Sequence, residues 1–146
     1  MSAPSPDLAE LVKLFLPIDP VRVDQAATSS ADLAMIAASM GSFSAAAFHS
    51  VSPMSPAERN DFCRRVSTQS DGQVPAWTVE ACLRSFEGDL DALAGTDPAI
   101  TTGVPIYGLV VLGAEYLSPN EAISLRDRAT EIAGELLPQL EALPHE

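Results

Sequence analysis

Residues 104 to 117 read VPIYGLVVLGAEYL, and the secondary structure of this stretch decides the fold class. Its Val, Ile and Tyr residues suit a strand, whereas its length also suits a buried helix. A lone strand would leave its backbone hydrogen-bonding groups unpaired, and the sequence contains no second convincing strand. We therefore predict a buried helix here and an all-α fold, with a strand as the alternative.

The clearest local signals on either side of this segment are helix starts, in which Ser or Asp stands directly before Pro. Ser and Asp cap free backbone N–H groups, and Pro is tolerated at the first helical position. Ser55 and Ser118 extend the pattern to capping boxes, with Glu58 and Glu121 three residues later. Further candidates of this kind are Ser5-Pro6, Asp19-Pro20 and Asp97-Pro98.

Two amphipathic helices should flank the central segment. Upstream, apolar residues recur at three- and four-residue steps over residues 77 to 94, which predicts a helix that continues through Gly88 and ends at Gly95. Downstream, residues 119 to 137 should form a last helix that Pro138 kinks or ends. Its apolar stripe contains Leu125, Ala129, Ile132, Ala133, Leu136, Leu140 and Leu143.

The sequence pattern of the amino-terminal half predicts three further helices. They span residues 6 to 16, residues 31 to 50 with Ser30 as the cap and Gly41 as a weak point, and residues 56 to 67 with a thin apolar side. A short helical turn can follow Asp19. Residues 67 to 77 are a polar loop and the candidate hinge. We expect a single domain over residues 1 to 146, with five or six helices in a bundle or an orthogonal array.

A weak internal similarity relates residues 55 to 66, SPAERNDFCRRV, to residues 118 to 129, SPNEAISLRDRA. Both begin with Ser-Pro-x-Glu and carry an apolar residue and an Arg at matching positions. A duplicated helical hairpin would explain this similarity, but capping boxes followed by amphipathic helices are common enough to arise twice by chance, which is the favoured explanation.

The charge of the chain restricts its partners. Its 146 residues contain 20 Asp and Glu against 8 Lys and Arg, which gives a net charge of −12 and a pI near 4.3. Such a protein repels nucleic acids and anionic membrane surfaces, so we expect a protein partner with a basic surface. Two cysteines without a disulfide framework and a start without a signal-peptide pattern predict a cytoplasmic protein.

The sequence offers little chemistry. It contains no nucleotide-binding, hydrolase or metal-ligand motif, so we expect neither a cofactor nor a metal. The one catalytic alternative pairs His49 as a base with Cys63 as a nucleophile next to Arg64 and Arg65. A helix-end histidine and a half-buried core cysteine are the simpler interpretation.

The candidate contact residues are therefore surface groups. Trp77 is either an exposed binding residue or a hydrophobic staple on its own helix, and the staple is favoured. Glu131 and Glu135 stand one helical turn apart and, with Asp89 and Asp91, mark the acidic carboxyl-terminal half. The basic cluster of Arg59, Arg64 and Arg65 is expected to pair with that acidic half.

These observations favour a non-catalytic acidic protein-interaction domain, such as an adaptor, chaperone, inhibitor or immunity-like partner of another protein. The first alternative is a small-ligand-binding or enzymatic domain that uses His49 and Cys63. The second is a structural subunit that forms a homodimer or larger homo-oligomer through residues 104 to 117.

Overall fold

The computed structural model describes residues 8–19, 21, 23, 25, 33–89, 91–92 and 103–142. This part of the chain is all-α, as predicted, and contains no strand. Its seven helices exceed the expected five or six. They are α1 (Leu8–Val12), α2 (Leu33–Ser50), α3 (Pro56–Gln69), α4 (Ala76–Phe86), α5 (Val104–Glu115), α6 (Pro119–Ser124) and α7 (Arg126–Glu141).

Helix α5 confirms that residues 104 to 115 of the stretch that decides the fold form a buried helix. It packs against α2, α3 and α4, and Val104, Leu109 and Leu112 are fully buried. Its glycines permit close contacts, because a Cβ on Gly108 would lie 2.3 Å from the Phe43 ring and one on Gly113 would lie 2.7 Å from the side chain of Ile18.

Helix α2 is the centre of the fold and contacts α1, α4, α5 and α7. It runs unbroken through Gly41, whose missing side chain lets α7 approach closely. Gly41 faces Ala129 and Ala133 of α7, whereas His49, eight residues later, faces Glu121 of the preceding α6, so α2 runs antiparallel to the α6–α7 segment. In the described part of the chain, α2 alone is long and apolar enough to cross a membrane, and 56% of it is buried against other helices.

Helices α3 and α4 form a hairpin held by buried apolar groups and one arginine. Phe62, Cys63 and Val66 of α3 are buried. The guanidinium of Arg59 donates to Glu80 at 2.8 Å within α4 and to Glu87 at 2.7 and 2.8 Å just beyond it. Helix α3 continues to Gln69, so the predicted loop is reduced to residues 70–75 between the two helices.

Both predicted capping boxes are present. The Ser55 and Ser118 hydroxyls accept from the backbone N–H of Glu58 and Glu121, and each glutamate accepts in return from the backbone of its serine. The two helices that they begin differ, because α3 has 14 residues and α6 has only 6. Helix α6 ends at Ser124, and the backbone makes a tighter turn at Leu125 before α7.

Several predicted boundaries were wrong. Helix α4 ends at Phe86 and not near Ala94, because Gly88 takes a positive φ of 107°, which ends the helix although the apolar periodicity continues. Helix α7 passes through Pro138 to Glu141. It tolerates the proline because the carbonyl of Gly134, which loses its partner, lies in an exposed turn that water can reach.

The remaining predictions concern the amino-terminal residues and the segment before α5. Helix α1 covers only Leu8–Val12, and turns follow it to Phe15. The Asp19 carboxylate accepts from the Val21 backbone, consistent with the expected short turn. The Ser5-Pro6 and Asp97-Pro98 helix starts, Ser30, Gly95, Leu90 and Leu93 lie outside the described residues.

Candidate binding groove between α2 and α7

An apolar groove of about 640 Å³ follows the antiparallel seam between α2 and α7, and the carboxyl-terminal turn of α4 closes one side. Small residues make the tight contact at the bottom of the seam, since Ala129 and Ala133 of α7 are fully buried against Gly41. The larger apolar residues on the same stripe of α7 remain half-buried and line the groove. They are Ile132, Leu136 and Leu140, together with Leu125 directly before the helix.

Phe48 is the most exposed large apolar side chain of the groove. It lies in the last turn of α2 and is 64% exposed, whereas Phe43, five residues earlier, is fully buried. Single exposed apolar residues are common on protein surfaces, but Phe48 lines the same groove as the apolar side chains of Leu125 and Ile132. The groove therefore presents an aromatic ring and an aliphatic floor to solvent.

Charged and polar groups form the edges of the groove. His49 Nε2 lies 3.1 Å from the carboxylate of Glu121, and Arg128 donates to Glu131 at 3.1 Å. The hydrogen bond from the Ser118 backbone, followed by the contact with His49, holds the pKa of Glu121 below its usual range. Glu135 also lines the groove, and its carboxylate forms no ion pair within the described part of the chain.

The predicted contact residues divide into two groups. Glu135 lines the groove, Glu131 accepts from the groove residue Arg128, and Asp89 and Asp91 follow Phe86 of the α4 wall by three and five residues. Asp89 and Asp91 are exposed, and the Asp89 carboxylate accepts from the Asp91 backbone at 3.3 Å. Trp77 lies at the opposite end of α4, so the structure does not bring it to the groove.

The staple interpretation of Trp77 was wrong. Its side chain is 61% exposed and therefore does not fold back onto its own helix as a staple would. Trp77 is a second exposed aromatic residue, outside the set that lines the groove.

The His49–Cys63 pairing finds no support in the geometry. The Cys63 thiol is buried beside Glu80, with Sγ 3.8 Å from the carboxylate, and burial together with that negative charge raises its pKa to about 12. A thiol with such a pKa is protonated near neutral pH and is a poor nucleophile. His49 is hydrogen bonded to Glu121 instead. Among the described residues, no group of three or more His, Cys, Asp or Glu is placed to hold a metal ion.

The expected pairing of the basic cluster is confirmed for two of its three arginines. Arg59 binds Glu87, and Arg65 binds Glu115, both from the acidic half of the chain. Arg65 also donates to Asp61 at 2.8 Å. Arg64 is exposed.

Comparison with protein-family models, with curated proteins and with solved structures finds no match to this chain. The groove and its charges are therefore the basis for a functional proposal. Of its residues, Phe48 was missed at the level of sequence. Because α2 is apolar around most of its circumference, the spacing of its residues does not show which side chain emerges.

Proposed function

We propose that this protein is a non-catalytic, acidic protein-interaction domain that binds a partner with a basic surface. One observation carries the proposal: an open apolar groove, with the exposed Phe48 in its lining, lies beside carboxylates such as Glu135 that form no ion pair with another described residue. Apolar surface supplies affinity on burial, and the neighbouring charges select the partner.

The distribution of ion pairs supports a basic partner. Most cations of the described residues are occupied within the chain: Lys13 by Glu10, Arg59 and Arg84 by Glu80, and Arg65 and Arg128 by nearby acids. Arg126 donates to the carbonyl of Leu16 at 2.7 Å. The carboxylates of Asp89, Asp127, Glu135 and Glu141 are exposed and form no ion pair with another described residue. The surface thus presents mainly negative charge.

The burial of α5 argues against the alternative of a subunit that oligomerises through residues 104 to 117. Val104, Leu109 and Leu112 are fully buried within the same chain, and Val111 is nearly so. A dimer through the buried face of this helix would require the protein to open its own core. We further propose a cytoplasmic location, which is consistent with two free thiols and no disulfide between them.

The test is to purify the tagged protein from its native host at low and at high salt, identify the associated protein, and reconstitute the complex from purified components. We expect a stoichiometric partner with a basic surface, which binds the purified protein and dissociates at high salt. A light-scattering mass that shows the protein alone under both conditions, or a partner with an acidic contact surface, would overturn the proposal.

A second candidate function is suggested by the size of the groove. Its volume of about 640 Å³ lies within the range of small-molecule sites, and the hydroxyls of Ser44 and Ser85 and the His49 ring are polar groups in its lining. Native mass spectrometry of the protein purified from its host distinguishes the two functions. A stoichiometric small molecule that Phe48→Glu abolishes would favour ligand binding.

A further inference from the structure

We infer that the groove between α2 and α7 receives a single amphipathic helix of the partner, with apolar residues on one face and Lys or Arg on the other. This inference rests on the proposed function and specifies the recognition element. It follows from the length of the groove, the spacing of its floor, the absence of a sheet edge and the charge at its rim.

The length of the groove matches a short helix. Along α7 its lining extends from Leu125 to Leu140, which corresponds to about 22 Å at the rise of an α-helix. A partner helix of about 15 residues, or four turns, covers that distance. A single extended side chain or a compact small molecule would fill only part of it.

Apolar side chains on the floor of the groove are spaced once per helical turn, which suits packing against another helix. Ile132, Leu136 and Leu140 succeed one another once per turn of α7, and Phe48 projects from the last turn of α2. Side chains spaced at i, i+4 and i+7 on a partner helix fit between such ridges, which is the usual arrangement for a helix bound in a groove.

An extended peptide has no place to pair. Strand addition requires a sheet edge with free backbone groups, and the described residues form no strand. The groove walls are helices, so most of their backbone groups are bonded internally and a partner meets mainly side chains. A helix satisfies its own backbone and presents side chains to such walls.

The charges favour a basic helix over a second copy of this chain. Helix α7 carries Asp127, Glu131, Glu135 and Glu141, of which Glu131 alone pairs with an arginine. Two copies, each with a net charge of −12, would meet acid against acid across a shared groove. Lysine and arginine on the outer face of a partner helix would instead lie against these carboxylates.

The experiment uses the full chain and synthetic peptides of about 15 residues, the length that covers the groove. The first has Leu at i, i+4 and i+7 and Lys on the opposite face. The second has the same composition in an order that disperses the Leu residues, and the third replaces every Lys by Glu. Binding is measured by fluorescence anisotropy and calorimetry. We expect 1:1 binding of the first peptide, about tenfold or more tighter than either control and weakened by salt.

Two pairs of variants locate the binding site. Phe48→Glu should weaken binding of the first peptide by about tenfold or more, whereas Trp77→Glu, the same change at an equally exposed aromatic residue, should leave it unchanged. Glu135→Lys should weaken binding, whereas the double variant Asn60→Lys/Gln69→Lys, which alters the net charge equally on exposed positions of α3, should have a much smaller effect.

The outcomes distinguish the helix-in-groove inference from the proposed protein-interaction function. If the first peptide shows no saturable binding up to about 1 mM, or if Phe48→Glu and Trp77→Glu weaken it equally, the helix-in-groove inference is wrong. If the purified natural partner binds Phe48→Glu normally and loses binding to Trp77→Glu, the interaction function stands and the contact surface lies at Trp77. If neither partner nor peptide binds, both proposals fail.

Discussion

Replacing Gly41 by alanine should destabilise the protein, although alanine is the better helix former. Gly41 lies in the middle of α2 at the crossing with α7. A Cβ there would stand 2.6 Å from the carbonyl oxygen of Ala129 and 2.9 Å from the backbone nitrogen of Ala133. Both are backbone atoms of α7, so no change of rotamer relieves the contacts, and the two helices must move apart.

The change in the free energy of unfolding caused by Gly41→Ala is the difference between two opposing effects. Alanine in a helix interior is favoured over glycine by about 1 kcal/mol. Overpacking of a rigid contact costs about 1–3 kcal/mol, and two distances below 3.0 Å place this site at the upper end. The net loss for Gly41→Ala is therefore about 2 kcal/mol.

Gly134 of α7 provides the matched control. It is also in a helix interior, but it is exposed and a Cβ there would meet nothing within 4 Å. Gly134→Ala should therefore gain close to the full 1 kcal/mol of helix propensity, so that the two variants differ by about 3 kcal/mol.

Urea denaturation followed by far-ultraviolet circular dichroism measures this difference, provided that the m-values of the variants agree. Thermal unfolding should separate the two midpoints by roughly 6–12 °C, since about 1 kcal/mol corresponds to 2–4 °C at this chain length. A Gly41→Ala variant as stable as Gly134→Ala would refute the reasoning, because it would show that α2 and α7 do not approach closely at Gly41.

Three further predictions concern single groups. Cys63 and Cys82 should react with iodoacetamide much more slowly in the native protein than in urea, because burial raises the pKa of both thiols to about 12; equal rates would show that they are accessible. Ser55→Ala should cost about 1 kcal/mol in urea denaturation through loss of its capping box, and an unchanged stability would mean that the cap contributes nothing. The hydrogen bond from Arg59 holds the pKa of Glu87 below its ordinary value of 4.5, so the pair stabilises the fold above that pH and the contribution disappears as pH falls through the lowered pKa. Glu87→Gln should therefore lower the free energy of unfolding at pH 7 and make it fall less steeply as the pH is lowered below 4.5. An equally steep fall in the variant and the unchanged protein would contradict this.

The features that the sequence predicted correctly depend on local chemistry or on elimination. The capping boxes at Ser55 and Ser118 are fixed by residues three positions apart, so nothing distant is needed to recognise them. Helix α5 followed from the lack of a second strand to pair with it.

The errors arise where tertiary structure or a backbone conformation decides. The apolar period after Phe86 predicted a longer α4, but a left-handed Gly88 ends that helix first. The apolar stripe of α7 was correct as a pattern, yet only its alanines reach the bottom of the seam while its leucines remain at the groove. Which face of α2 leaves Phe48 in solvent depends on how four other helices pack around it, and periodicity carries no such information.

Because α2 packs mainly against α7, the protein can complete its fold only after α7 has left the ribosome. The helix that contacts α2 most extensively begins about 75 residues after α2 ends. At a synthesis rate of about 5–20 residues per second, α2 waits roughly 4–15 s for that partner. During this interval the nascent chain displays an 18-residue apolar helix without its main cover. Helices α3 to α5 emerge in the meantime, and they or a chaperone must shield α2 from other nascent chains until the last helix arrives.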